Sequence, residues 1–178
     1  MNGPDAATRA SLAAVIEHDL EALAHIEVSL QDLGPDADFN QCAGVAYALH
    51  NSYSALENSF DQISRSFENH VVDREQWHRE LMLKMFLEIP GVRPAVLPVQ
   101  VRPLLNELRS FRHVFRHSYD FQLDPLKLNA LVADWREGAA AVTKALRDFV
   151  AWLRGKQPTA GSSATSTQPN PGEGRASG

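Results

Sequence analysis

Between Val45 and Phe67, seven positions recur in steps of three or four: Val45, Leu49, Ser52, Leu56, Phe60, Ile63 and Phe67. All but Ser52 are apolar. A helix turns once every ~3.6 residues, so this spacing lays the seven side chains on one face; a strand would split them between two. The pattern therefore predicts a long helix from about Phe39 to Phe67, with a near-heptad seam that must be buried against other apolar stripes. Such stripes lie on both sides of it. Upstream, Leu12, Ile16, Leu20, Leu23 and Leu30 share a face, with Glu17, His18, Glu21 and Glu27 largely elsewhere. Gly34-Pro35 is expected to stop this first helix, because Gly suits the left-handed terminal position and Pro cannot continue.

Downstream, Asp73 followed by Gln76 has the spacing of a reciprocal cap and opens a third predicted helix. Trp77, Leu81, Met85 and Ile89 point its face inward before Pro90-Gly91. Pro90, Pro94 and Pro98 mark a rigid loop and argue against a strand over Val96 to Val101. A fourth helix carries Leu104, Leu108, Phe111 and Phe115 and fades near Asp120. A fifth opens at Asp124-Pro125, an N-cap followed by proline at the first helical position. Leu123 and Leu128 flank that cap as a hydrophobic staple. Leu128, Leu131, Trp135, Val142, Leu146, Phe149 and Leu153 continue the inward face. The expected fold class is all-α, an antiparallel bundle of four to five helices over residues 6–154. Residues 155–178 contain no Val, Ile, Leu, Met or aromatic residue. They cannot bury apolar area to offset ordering entropy, so a disordered tail is expected there.

Composition excludes several kinds of function. Net charge is -5, which argues against broad coating of nucleic acid and makes any such contact local. Cys42 is the only cysteine, leaving no internal disulfide and no thiolate metal cage; it reads as a small buried residue. No metal site and no cofactor are expected. The opening Met1-Asn2-Gly3-Pro4-Asp5 has neither the basic start nor the apolar stretch of a signal peptide, and no run nears the ~18 apolar residues of a membrane span. A cytoplasmic protein without membrane contact is expected.

Chemistry concentrates on the fourth helix. Arg102, Leu105, Arg109, Arg112, Arg116 and Tyr119 fall on one stripe, and His113 and His117 sit beside it, one turn apart. From residue 102 to 119 there are four arginines against one acid, Glu107. Such a stripe can be a solvated basic face. It can also serve RNA cleavage, which needs a proton taken from the 2′-OH, a proton given to the leaving oxygen, and stabilised charge on phosphorus. Histidine, with an ordinary pKa near ~6.5, suits both proton transfers, and the arginine fork suits the phosphate. Arg112 and His117 are separated by ~140° around an ideal helix. They are expected to converge on one phosphate through a bend, or opposite a second copy of the motif in a symmetric dimer.

The order Arg112-x-x-x-x-His117-x-Tyr119 resembles the R-x4-H-x-Y motif of HepT-like toxins of the HEPN superfamily, and His113 fits the polar position after the arginine. The surrounding blocks agree: Ala48-Leu49-His50-Asn51-Ser52-Tyr53-Ser54-Ala55-Leu56-Glu57, Trp77-His78-Arg79-Glu80-Leu81 and Glu88-Ile89-Pro90-Gly91-Val92-Arg93-Pro94. The likeness spans roughly residues 10–154. It implies a metal-independent endoribonuclease of a type VII toxin–antitoxin system that leaves a 2′,3′-cyclic phosphate. Arg112 and His117 would be its catalytic pair, assisted by His113, Arg116 and Arg109. It further implies a homodimer with the active site at the interface. An MntA-like nucleotidyltransferase antitoxin would silence the toxin by AMPylation of Tyr119. The tail has no counterpart in that pattern.

His50, Tyr53 and Glu57 lie three and four apart on the second helix; they read either as support for the cleft or dimer contact, or as ordinary hydrogen-bonded helix surface. His70 and His78 form no metal pair and read as surface histidines, and Trp77, Trp135 and Trp152 as packing. The reading from a different class is a catalytically inactive HEPN-like module that binds a nucleotide or a protein.

Overall fold

A computed structural model of the chain describes residues 4–68, 77–117 and 122–155. The Asp73–Gln76 cap, His70, Tyr119, Asp120, the side chains of Trp77 and His78, and the tail from residue 156 onward lie outside the described residues. Among the described residues five helices follow one another: α1 (Ala6–Glu27), α2 (Phe39–Glu68), α3 (Trp77–Lys84), α4 (Arg102–His117) and α5 (Pro125–Leu153). A 3₁₀ turn, Val99–Val101, leads into α4. The fold is an all-α bundle, and no strand occurs among the described residues; Ile89 and Arg93 form only an isolated bridge. No helix among them is long and apolar enough to cross a membrane.

The central element is α2, which packs against every other helix. All seven seam positions are buried, and Ser52 is accommodated because its hydroxyl donates to the Ala48 carbonyl at 3.0 Å. The start of α2 is a reciprocal cap: Gln41 N–H donates to Asp38 Oδ1 at 2.8 Å while Asp38 N–H donates to Gln41 Oε1 at 2.9 Å. Helix α1 is clamped to α2 through buried Asp19, which accepts from Ser59 Oγ at 2.7 Å and Asn58 Nδ2 at 3.0 Å. Contacts fix the helix directions. His50 meets Phe115 while Glu57 meets Arg112, so α4 runs antiparallel to α2. Asn129 meets Leu33 while Arg154 meets Glu17, so α5 runs antiparallel to α1.

Helix ends depart from expectation in two places. Helix α1 stops at Glu27, well before Gly34-Pro35. Leu30 leaves the helix yet stays buried, because α5 takes up the backbone beyond it. Asn129 holds both the N–H and the carbonyl of Leu33, at 2.9 and 2.8 Å, and Arg136 Nη2 donates to the Leu30 carbonyl at 2.8 Å. Helix α3 stops at Lys84 and does not include Ile89, although Leu81 and Met85 face inward as expected. The carbonyls at its end are captured by the loop: Lys84 O accepts from the Arg93 guanidinium, and Met85 O, one residue past the helix, accepts from Val96 N–H and Leu97 N–H. Arg93 is 2% exposed and also binds the Leu87 and Pro94 carbonyls and the Glu68 carboxylate. The loop turns at Gly91, whose φ of 74° is a conformation that glycine adopts freely.

Helices α4 and α5 bury the expected faces. Leu104 and Leu108 are buried and Phe111 and Phe115 pack half-buried against them. Leu105, placed by its spacing on the basic stripe, is a core residue at 0% exposure. Asp124 caps α5 by accepting from Leu126 N–H at 2.9 Å, and the seven apolar positions named above for α5 are buried. Trp135 is core, Trp152 stacks on Phe149 at 5.3 Å, and Cys42 is buried.

Candidate active site

With Leu104, Leu105 and Leu108 locked into the core, the rotation of α4 about its axis is set. The polar residues that follow emerge along the edge of α2 and into solvent. Arg112 is the best held. Its Nη2 lies 2.8 Å from Glu57 Oε2, and the side chains are only 13% and 8% exposed. Its Nε donates to Ser54 Oγ at 3.4 Å, and its guanidinium lies 5.9 Å from the centre of the Tyr53 ring. A carboxylate, a hydroxyl and an aromatic face, all within about one turn of α2, thus define the position of one guanidinium.

Beyond Arg112 opens a cleft of about 360 Å³ lined by Arg79, Arg109, Ser110, Arg112, His113, Val114, Arg116 and His117. Among the described residues the lining supplies four arginines and two histidines and no acidic residue. Clustered cations at a concave surface focus positive potential and favour an anion. The His113 and His117 rings stand 4.9 Å apart on the exposed side of α4. Arg112 and His117 line the same cleft although α4 runs as one continuous helix through both. Tyr119 lies outside the described residues.

The three α2 residues form the underside of this arrangement. Glu57 pairs with Arg112, and Tyr53 is fully buried beneath it. Burial, reinforced by the Glu57 charge and opposed by Arg109 and Arg112, pushes the Tyr53 phenol well above its ordinary range, so it stays neutral. His50 packs against Phe115 with ring centres 5.5 Å apart. Burial and then the charges of Arg112 and Arg116 lower its pKa, so the imidazole is neutral at pH 7. The Tyr53 hydroxyl, His50 Nδ1 and Arg109 Nε are buried without a hydrogen-bond partner among the described residues.

Residues 44–153 match the family described as HepT-like protein, which is more than half of the chain. The chain belongs to the HepT-like family, within the HEPN superfamily. No curated protein and no solved structure matches it.

In this HepT-like protein the matched segment begins inside α2 and ends with α5. It therefore contains the Glu57–Arg112 pair and every residue that lines the cleft. Of the residues singled out in the sequence, the structure brings Arg109, Arg112, His113, Arg116 and His117 to one cleft and sets Glu57 and Tyr53 under Arg112. Two contributors carry no local signal. Arg79 joins from α3 and Ser54 from α2, and they meet α4 only because α3 and α4 both pack against α2.

Proposed function

We propose that the chain is a metal-independent endoribonuclease toxin of a toxin–antitoxin system. The observation that carries this reading is a cleft, without an acid among the described residues that line it, in which a gripped arginine and two neighbouring histidines meet. Arg112 binds a non-bridging phosphate oxygen and stabilises the charge that grows on phosphorus, because its fork is already oriented and does not deprotonate. The substrate 2′-oxygen attacks phosphorus and the bond to the 5′-oxygen breaks, which yields a 2′,3′-cyclic phosphate and a 5′-hydroxyl. One imidazole takes the 2′-OH proton and one supplies a proton to the departing 5′-oxygen. His117 is assigned one of these transfers. His113, or His117 from a second copy of the chain, takes the other, and Arg116 and Arg109 add phosphate contacts.

A homodimer with the cleft at its interface belongs to the same reading, as does a cytoplasmic location where RNA is at hand. So does regulation by an MntA-like nucleotidyltransferase that attaches AMP to Tyr119. Adenylate phosphates beside the arginines would occupy the space meant for RNA phosphate.

The test is expression without the antitoxin, together with cleavage of RNA by the purified protein. Wild type should arrest growth and leave cyclic phosphate ends. His117→Ala should lose about 10²–10⁴ in rate, the usual contribution of acid–base catalysis. Equal toxicity and equal cleavage by His117→Ala would reject the assignment. Binding of RNA or partner with no turnover by wild type would identify an inactive module instead.

A further inference from the structure

We propose that Arg79 forms a second phosphate subsite of the cleft, which holds the phosphodiester next to the one that is cut. The inference rests on the ribonuclease reading of that cleft and adds a residue and a minimum substrate to it. Three observations lead to it. Arg79 comes from α3, whereas the other cationic residues of the cleft all come from α4. Arg79 is exposed, whereas Arg112 is 13% exposed and already ion-paired with Glu57. Among the described residues the lining supplies four arginines and no carboxylate.

A single phosphodiester carries one negative charge and offers two non-bridging oxygens. Arg112 with one neighbour on α4 satisfies both, and a guanidinium from a different helix is then left facing the same space. Collecting cations that repel one another costs stability, and that cost is repaid when successive anions lie between them. A chain of nucleotides has such anions at every residue. The ligand class is therefore an oligonucleotide with at least two consecutive phosphates, in preference to a mononucleotide or a dinucleoside monophosphate. The exposed Arg79 suits a neighbouring phosphate whose position varies with sequence, while Arg112, held by Glu57 and Ser54, suits the phosphate at which bonds change.

The experiment compares wild type with Arg79→Ala on two substrates: a dinucleoside monophosphate, which has one phosphate, and a pentanucleotide, which has several. Wild type should favour the pentanucleotide in kcat/KM. Arg79→Ala should shrink that preference by about five- to tenfold through KM, the size of one charge-assisted phosphate contact. It should also reduce the salt dependence of pentanucleotide binding by about one counterion. Arg79→Lys, which retains the charge, should recover part of the preference. An unchanged preference and an unchanged salt slope in Arg79→Ala would overturn the subsite. Absence of cleavage of either substrate by wild type would instead overturn the ribonuclease reading on which it rests.

Discussion

The Glu57–Arg112 pair offers the sharpest test of how the fold builds its site. Side-chain exposures of 8% and 13% place the pair between a surface contact and a buried one. With charge centres about 4 Å apart and an effective dielectric near ~20, attraction amounts to roughly 4 kcal/mol, part of which desolvation takes back. Removing one partner leaves the other poorly solvated. Fully buried pairs lose ~3–5 kcal/mol in this way; the remaining water access and the Ser54 contact bring the expected cost of Glu57→Gln or Arg112→Met to roughly 2–3 kcal/mol. For a domain of this size that lowers Tm by roughly 5–10 °C. The double substitution should cost less than the sum of the singles, by about 1.5–2.5 kcal/mol, because the attraction between the two charges is lost only once. Urea unfolding of the four proteins, with unchanged m values as the check on the native state, gives the coupling directly. Exposed pairs couple by only ~0.2–1 kcal/mol. A coupling below about 0.5 kcal/mol would refute the argument that α2 holds Arg112 by charge.

Two further outcomes are expected. Co-expression with a nucleotidyltransferase antitoxin should give a mass ladder of about 329 Da per AMP, the increment of adenylate transfer to a hydroxyl; Tyr119→Phe should remove it, and a ladder that persists in that variant assigns the modification elsewhere. His50 should make stability depend on pH: its folded-state pKa is lowered, first by burial and then by Arg112 and Arg116, so the unfolded chain binds the proton more readily. Stability is then present in full above the unfolded value of ~6.5 and declines as pH falls below it. Unfolding free energies at pH 7.5 and 5 should differ more for wild type than for His50→Gln; equal differences would show that His50 does not carry this dependence.

What could be read in the sequence was periodicity, and what could not was capture by distant groups. Seam residues such as Leu49 and Phe60 lie on stripes because helix geometry is local, and they are buried where the spacing predicts. The Asp38–Gln41 cap is equally local, but the apolar spacing that predicts α2 carries no sign of it. Helix ends are different. Leu30 and Leu33 belong to no helix because Arg136 and Asn129, about a hundred residues later, satisfy their backbone groups. Helix α3 ends where Arg93 and the backbone of Val96 and Leu97 take its carbonyls. No window of a few residues contains those partners. The basic stripe of α4 was legible for the same reason as the seams, and it misplaced Leu105 because a stripe gives no sign of which edge turns inward.

The site follows the same division, which explains why charge and core cannot be separated in this protein. An acidic chain with net charge -5 has no general attraction for RNA, so contact depends on where its cations are collected. Helix α2 does the collecting. One face of it is the seam that organises the bundle, and an adjacent edge carries Tyr53, Ser54 and Glu57 against Arg112. Burying Leu105 and Leu108 turns α4 so that its arginines and histidines reach one cleft, and packing α3 on α2 brings Arg79 to its wall. On the proposed reading, a change that shifts α4 along α2 would separate Arg112 from Glu57, and RNA cleavage should fall while the bundle remains helical. The pair at Glu57 sets the register at which a helical bundle becomes a site.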